Sequence, residues 1–205
     1  WQNVFLIFAL VILALILPLP LMRSPKTALK AEIEDGMSVI LTKSLKDPSF
    51  SLIFLGFFSC GYQLSFVTAH FPALVTEMCA PISSNSFLYS IDITSTSALG
   101  AVAISLIGLA NIAGTLLAGW AGKYYSKKYL LAGIYTGRTI FGAMFILFPI
   151  TPMTVILFSI GMGSLWLATI PLTSGLIAQI YGLRYMGTLY GIVFFSHQLG
   201  AFLGV

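Results

Sequence analysis

The 205-residue chain is 58% hydrophobic, carries charge on 8% of its residues and has a formal net charge of +4; its mean hydropathy is +0.98. Soluble domains carry roughly 25% charged residues, so this composition excludes an ordinary soluble fold and points to the bilayer. The basic excess does not make a nucleic-acid surface, because the lysines and arginines flank apolar segments and there set orientation.

Residues 4–22 are free of charge and long enough for one crossing, at about 20 residues per helix. A polar connector over 23–48 follows, with Arg23, Lys26, Lys30, Lys43 and Lys46 among four acids. A short amphipathic helix is expected within 27–43, interrupted at Gly36. The second span covers about 49–76 and exceeds one crossing, so tilt or bending near Gly56, Gly61 and Pro72 is expected. An outer connector over 77–97 has no Lys or Arg.

The third span is expected over 98–122, ending at the turn GWAGKYYSKK, and the fourth over 129–149, containing Arg138. Residues 139–183 then run 45 positions without an acidic or basic side chain. Pro149 and Pro152 break that run, leaving a fifth span over 153–181. A loop at 182–186 carries Arg184, and a sixth span begins near 187. Trp1 and Val205 both lie close to or within apolar sequence, so the expectation is an internal piece of a longer membrane protein.

Five basic residues fall between spans one and two, three between three and four, and one between five and six. Nine of the ten thus lie on one side, as the positive-inside rule requires for cytoplasmic loops. Loops 23–48, 123–128 and 182–186 are therefore expected in the cytoplasm. Cys60 and Cys79 have neither disulfide nor metal-ligand spacing and read as two free thiols.

At residues 119–128 the chain resembles the loop signature of the major facilitator superfamily, G-x-x-x-D-R-x-G-R-R. Gly119 matches the first glycine, and Lys127 and Lys128 match the basic pair. Lys123, Tyr124 and Ser126 replace the acid, the arginine and the second glycine. In that family the signature lies between helices 2 and 3 and, more weakly, between helices 8 and 9. The resemblance thus implies helices 6 to 11 of a twelve-helix, all-α polytopic fold. On that basis 1–22 is helix 6, 23–48 the connector between halves, and 49–205 the C-terminal bundle. A looser likeness is to the bacterial monocarboxylate and oxalate–formate exchangers, although helices 8 and 11 lack that branch's basic residues and offer His197 and Gln198.

What the resemblance implies is a secondary active transporter, not an enzyme. It would move a small organic solute, a monocarboxylate or similar metabolite, across a cell membrane, the inner membrane of a bacterium, by alternating access. The alternative is an efflux permease for amphipathic compounds, with a channel or non-transporting subunit behind both. A membrane enzyme would need clustered His, Asp, Glu or Cys. The expected partners are the solute, protons if transport is proton-coupled, the lipid bilayer and the N-terminal half of the same chain. No nucleic acid, cofactor or metal is called for.

Transporter sites lie near the bilayer midplane, where inward-facing polar side chains converge. By depth, the candidates for substrate contact are Asn111, Thr169, His197 and Gln198, with Gln63 slightly beyond midplane and His70 near the outer mouth. Trp166 joins Thr169 and Thr173 on one expected helical stripe, and Tyr190 shares a face with His197. Each has a structural reading too. Asn111 serves equally as an interhelical hydrogen bond, Trp166 as packing, and the threonines as partners for carbonyls freed by Pro171. Arg138 weighs towards structure, reaching back to the headgroups or joining a packing network. Ala110, Gly114, Ala118 and Gly122 form a small-residue stripe for close helix approach, as do Gly200 and Gly204.

Overall fold

A computed structural model describes Leu10 and residues 36–205. The expected first span and residues 23–35 of the connector lie outside the described residues, Leu10 apart. Residues 36–205 form one compact unit, and it is all helical, with no strand among the described residues. The elements are α1 (Met37–Lys46), α2 (Pro48–Met78), a single turn α3 (Phe87–Ser90), α4 (Thr96–Tyr124), α5 (Lys127–Leu147), α6 (Pro152–Leu165), α7 (Thr169–Tyr181) and α8 (Leu183–Leu203).

Among the described residues, four helical stretches are long and apolar enough to cross a membrane: α2, α4, α5, and α6 with α7 taken together as Pro152–Tyr181. α8 is 21 residues long but less apolar, because His197 and Gln198 sit within it. The chain is a multi-pass membrane protein.

Local chemistry sets the boundaries. α1 starts just after Gly36, where the sequence expected an interruption. Asp47 caps α2, accepting from the Ser49 N–H at 2.8 Å, with Pro48 at the first helical position. α2 then runs unbroken for 31 residues through Pro72, about 46 Å at 1.5 Å per residue.

Two loops are shorter than expected. The turn at 123–128 shrinks to Tyr125 and Ser126, because α4 runs on through Lys123 to Tyr124 and Lys127 opens α5. The loop at 182–186 shrinks to Gly182, whose φ of +89° is open to glycine and strained for other residues, so α8 begins at Leu183 rather than near 187.

The fifth span is not one helix. It stops at Leu165 and restarts at Thr169. Pro171 has no N–H, and its ring would clash with the carbonyl of Leu167 in a continuous helix. The expected stripe Trp166–Thr169–Thr173 is broken with it.

Three apolar clusters hold the helices together. One, around Phe71, Leu99, Phe158 and Trp166, joins α2, α4, α5 and α6 at the end away from the lysines. A second, around Phe50, Phe57, Ile177 and Leu189, joins α2, α7 and α8 at the lysine-bearing end. A third, around Ala118, Leu131 and Leu172, joins α4, α5 and α7.

Two backbone seams fix the helix pairs. α2 and α8 meet where Gly61 lies on the His197 carbonyl and Gly200 on the Phe58 carbonyl, each too close for a Cβ. α4 and α6 meet where Gly114 lies on the Ser164 carbonyl. The small-residue stripe of α4 thus turns towards α6 and α7, with Gly122 against Leu172.

Gly61→Val is expected to push α2 off α8 and destabilise the protein by about 1–3 kcal/mol or more, seen as a lower Tm and poor yield in detergent. Gly191, whose Cβ would meet nothing within 4 Å, should accept Ala without loss. At the lysine-bearing end, the Tyr181 hydroxyl donates to Asp47 at 2.6 Å. Together with the Ser49 N–H it holds Asp47 below its ordinary pKa of 3.8. A lowered carboxylate stabilises the fold above the unfolded value and loses that contribution as pH falls through the folded one. The Tm difference between wild type and Asp47→Asn should therefore stay constant above about pH 5 and shrink below pH 4.

Candidate functional site

At mid-height, between the apolar clusters, three helices bring polar side chains to a cysteine on a fourth. Cys60 lies on α2, between Phe57 of the lysine-end cluster and Val67 of the opposite one, and is 1% exposed. Arg138 reaches it from the middle of α5: Nη1 donates to Sγ at 2.9 Å and Nη2 to the Cys60 carbonyl at 3.5 Å. Thr169, the first residue of α7, places Oγ1 at 3.6 Å from the same sulfur. His197 faces the thiol from α8.

Both Arg138 and Thr169 are fully buried, and His197 is 9% exposed. The Nε of Arg138 and the Nδ1 of His197 are buried without a hydrogen-bond partner. The described acids Asp47, Glu77 and Asp92 stand at helix ends or in the connector. Asp47 and Glu77 are 13 and 17 residues along the chain from Cys60, roughly 20 and 25 Å along a helix.

Aromatic packing fixes the His197 ring. It lies parallel to Phe194 at 5.6 Å and tilted on Phe57 at 5.1 Å. Tyr190 packs on the same Phe57 at 5.9 Å, so Tyr190 and His197 do share a face of α8. Ser196, beside them, donates to the Phe54 carbonyl at 2.9 Å and ties α8 to α2 again.

The sequence candidates separate in the structure. Thr169 and His197 come together at Cys60. Gln63 is half-buried and lines a cavity of about 440 Å³ between α2 and α5, with Ser59, Tyr135 and Thr139. Asn111 instead supports the helix break: its Oδ1 accepts from the Leu167 N–H at 3.0 Å and from the Thr115 hydroxyl at 3.2 Å. Trp166 is packed into an apolar cluster away from Thr169. Gln198 is exposed, and so is His70, which lies 4.9 Å from the Phe66 ring.

Arg138 and Cys60 were not among the substrate candidates. Arg138 does not reach back to the headgroups but turns inward to α2. Its signal in the sequence was an uncompensated charge deep in an apolar helix; Cys60 gave none. Of the signature residues, Gly119 meets no neighbour, Lys127 packs against Gly175 of α7, and Lys128 lies 4.8 Å from the Tyr129 ring. Lys123 stands in the last turn of α4, where a cation is favourable.

An all-helical, multi-pass bundle with a polar layer at mid-height and a broken helix beside it has the build of a membrane carrier. The chain belongs to the Major Facilitator Superfamily, whose family pattern it matches over residues 1–205. It is similar to an uncharacterized MFS-type transporter, YcxA, of Bacillus subtilis strain 168, with 25% identity over 217 residues. That match covers all of this chain and 48% of the relative, so the chain spans about half the relative's length. No solved structure matches it.

Asn111→Ala should leave the Leu167 N–H unpaired at the break and cost about 1–3 kcal/mol. The loss would appear as a lower Tm, while Asn111→Asp, which keeps an acceptor at Oδ1, should recover part of it.

Proposed function

We propose that this chain is part of a secondary active transporter that moves a small organic solute across the cell membrane by alternating access. The observation that carries the reading is the buried convergence of Cys60, Arg138, Thr169 and His197 from four helices. Buried polar groups in a spanning bundle are costly and mark solute or ion paths, and the break before Thr169 places a helix end at the same point. His197 is the residue suited to carry a proton if transport is proton-coupled.

In this reading residues 1–22 form the last helix of the N-terminal half, 23–48 the connector, and 49–205 the C-terminal bundle. The lysine-bearing end, with loops 23–48, 123–128 and 182–186, faces the cytoplasm, and the membrane is a bacterial inner membrane. Alternating access needs two halves rocking about a shared site, so the N-terminal half completes the carrier. The substrate-contact candidates of this reading are His197, Gln198, Asn111, Gln63, Thr169 and Trp166.

A second reading, efflux of amphipathic compounds, is favoured by an apolar cavity of about 460 Å³ between α5 and α6, lined by Phe141, Phe145, Phe148, Leu157 and Phe158. Counterflow in proteoliposomes holding the full-length protein tests both. Saturable exchange of a small polar solute, lost in His197→Ala, supports the first reading. Saturable movement of amphipathic dyes alone supports the second, and flux linear in concentration sinks both.

A further inference from the structure

At the lysine-bearing end, a cavity of about 440 Å³ lies between α2, α5 and α7. Its walls are Leu52 and Ile53 of α2, Leu131 and Ala132 of α5, and Leu176 and Ile180 of α7. Leu52, Ala132 and Ile180 are exposed, so this is an open groove in the flank of the bundle and not a sealed void. Gly56 and Tyr135 close its inner end, with the Tyr135 hydroxyl 3.4 Å from where a Gly56 Cβ would stand. Lys128 and Tyr135 are seven residues apart, about 10 Å along α5. One leaflet of hydrocarbon is about 15 Å deep, half of the roughly 30 Å core. The groove therefore fits within a single leaflet.

Its mouth is polar and positive. Lys128 is the second residue of α5, Ser49 the second of α2 and Ile180 the last but one of α7, so three helix ends meet there. Lys128 is exposed, its Nζ 4.8 Å from the Tyr129 ring, and Lys123 and Lys127 stand at the same turn. Ser126 gives α5 no side-chain cap and the first turn holds no acid, so the helix end adds to the field of the lysines. Asp47, the acid at this end among the described residues, is engaged by the Ser49 N–H and the Tyr181 hydroxyl. A lysine above an apolar slot is complementary to a molecule with an anionic head and a hydrocarbon tail.

We propose that the groove between α2, α5 and α7 holds one anionic phospholipid, its phosphate at Lys128 and one acyl chain along Leu52, Ala132 and Leu176 as far as Tyr135. A zwitterionic lipid would bring its own cation up to the lysine. A free phosphate would leave the apolar slot unfilled. The site is a fixed lipid position on the bundle, and it does not depend on which solute the protein moves.

The test is native mass spectrometry of the full-length protein in a neutral detergent, titrated with dioleoylphosphatidylglycerol. Dioleoylphosphatidylcholine has the same chains with a zwitterionic head, and glycerol 3-phosphate supplies the head alone. One phosphatidylglycerol should bind about fivefold or more tighter than phosphatidylcholine, and glycerol 3-phosphate should not displace it. Lys128→Gln should weaken phosphatidylglycerol about fivefold, the worth of one basic residue at a lipid surface. Ala132→Leu, which narrows the slot and leaves the charge, should bring phosphatidylglycerol down to the level of phosphatidylcholine. Both positions are exposed, so lipid-free Tm should match wild type in each. Lys43→Gln, on α1 outside the groove, should keep the preference. Equal binding of the two lipids, full binding in Ala132→Leu, or displacement by glycerol 3-phosphate would each overturn the proposal. So would an equal loss in Lys43→Gln, which would show a diffuse basic surface. A lower lipid-free Tm in Ala132→Leu with no lipid retained by wild type would show another segment of the full chain in the groove, and overturns it too.

Discussion

Much of the middle of this molecule follows from one charge that cannot leave it. Arg138 sits about ten residues inside α5, where the bilayer offers neither water nor headgroups, and it is 1% exposed. Insertion of such a group costs at least about 2.5 kcal/mol, so the surrounding helices must supply partners. α2 gives a thiol and a carbonyl, and α7 and α8 bring Thr169 and His197 to that same thiol. None of these partners carries a fixed negative charge. The Nε of Arg138 and the Nδ1 of His197 stay without a hydrogen-bond partner.

The packing places that polar layer. Leucine, valine and phenylalanine clusters fill the bundle at either end, and the layer lies between them. The α2–α8 seam holds it closely: Gly61, next to Cys60, rests on the backbone of His197 itself. A side chain at Gly61 would separate the thiol from the imidazole. The break before Thr169 belongs to the same arrangement. Pro171 forces the helix to stop, Asn111 satisfies the freed Leu167 N–H from α4, and α7 restarts at the thiol. Packing, helix break and site are one set of constraints.

The cleft beside the layer differs from the larger apolar cavity between α5 and α6. The first mixes the hydroxyl and amide groups of Ser59, Tyr62, Gln63, Tyr135 and Thr139 with Gly56 and Phe66, and the second is nearly all phenylalanine, leucine, isoleucine and methionine. Hydrogen-bonding groups suit the first to a polar molecule. Shape and apolarity favour the second for a greasy one.

The sequence by itself determined the fold class, the positions of the apolar spans and the family. Hydropathy over 20 residues and lysines gathered at alternate turns are local quantities that need no partner to be read. It also singled out Arg138, His197 and Thr169 as expensive groups at depth. What it could not supply was which of them meet. Thr169 and Trp166, three residues apart, looked like one stripe until Pro171 parted them. Asn111 reads equally as a substrate ligand or an interhelical hydrogen bond, and its partner is a backbone N–H 56 residues away. Cys60, an ordinary apolar-helix residue by every local measure, became the centre because α5, α7 and α8 all close on it. Those meetings depend on helix rotation and on glycine seams a few ångströms wide, which only the tertiary structure decides.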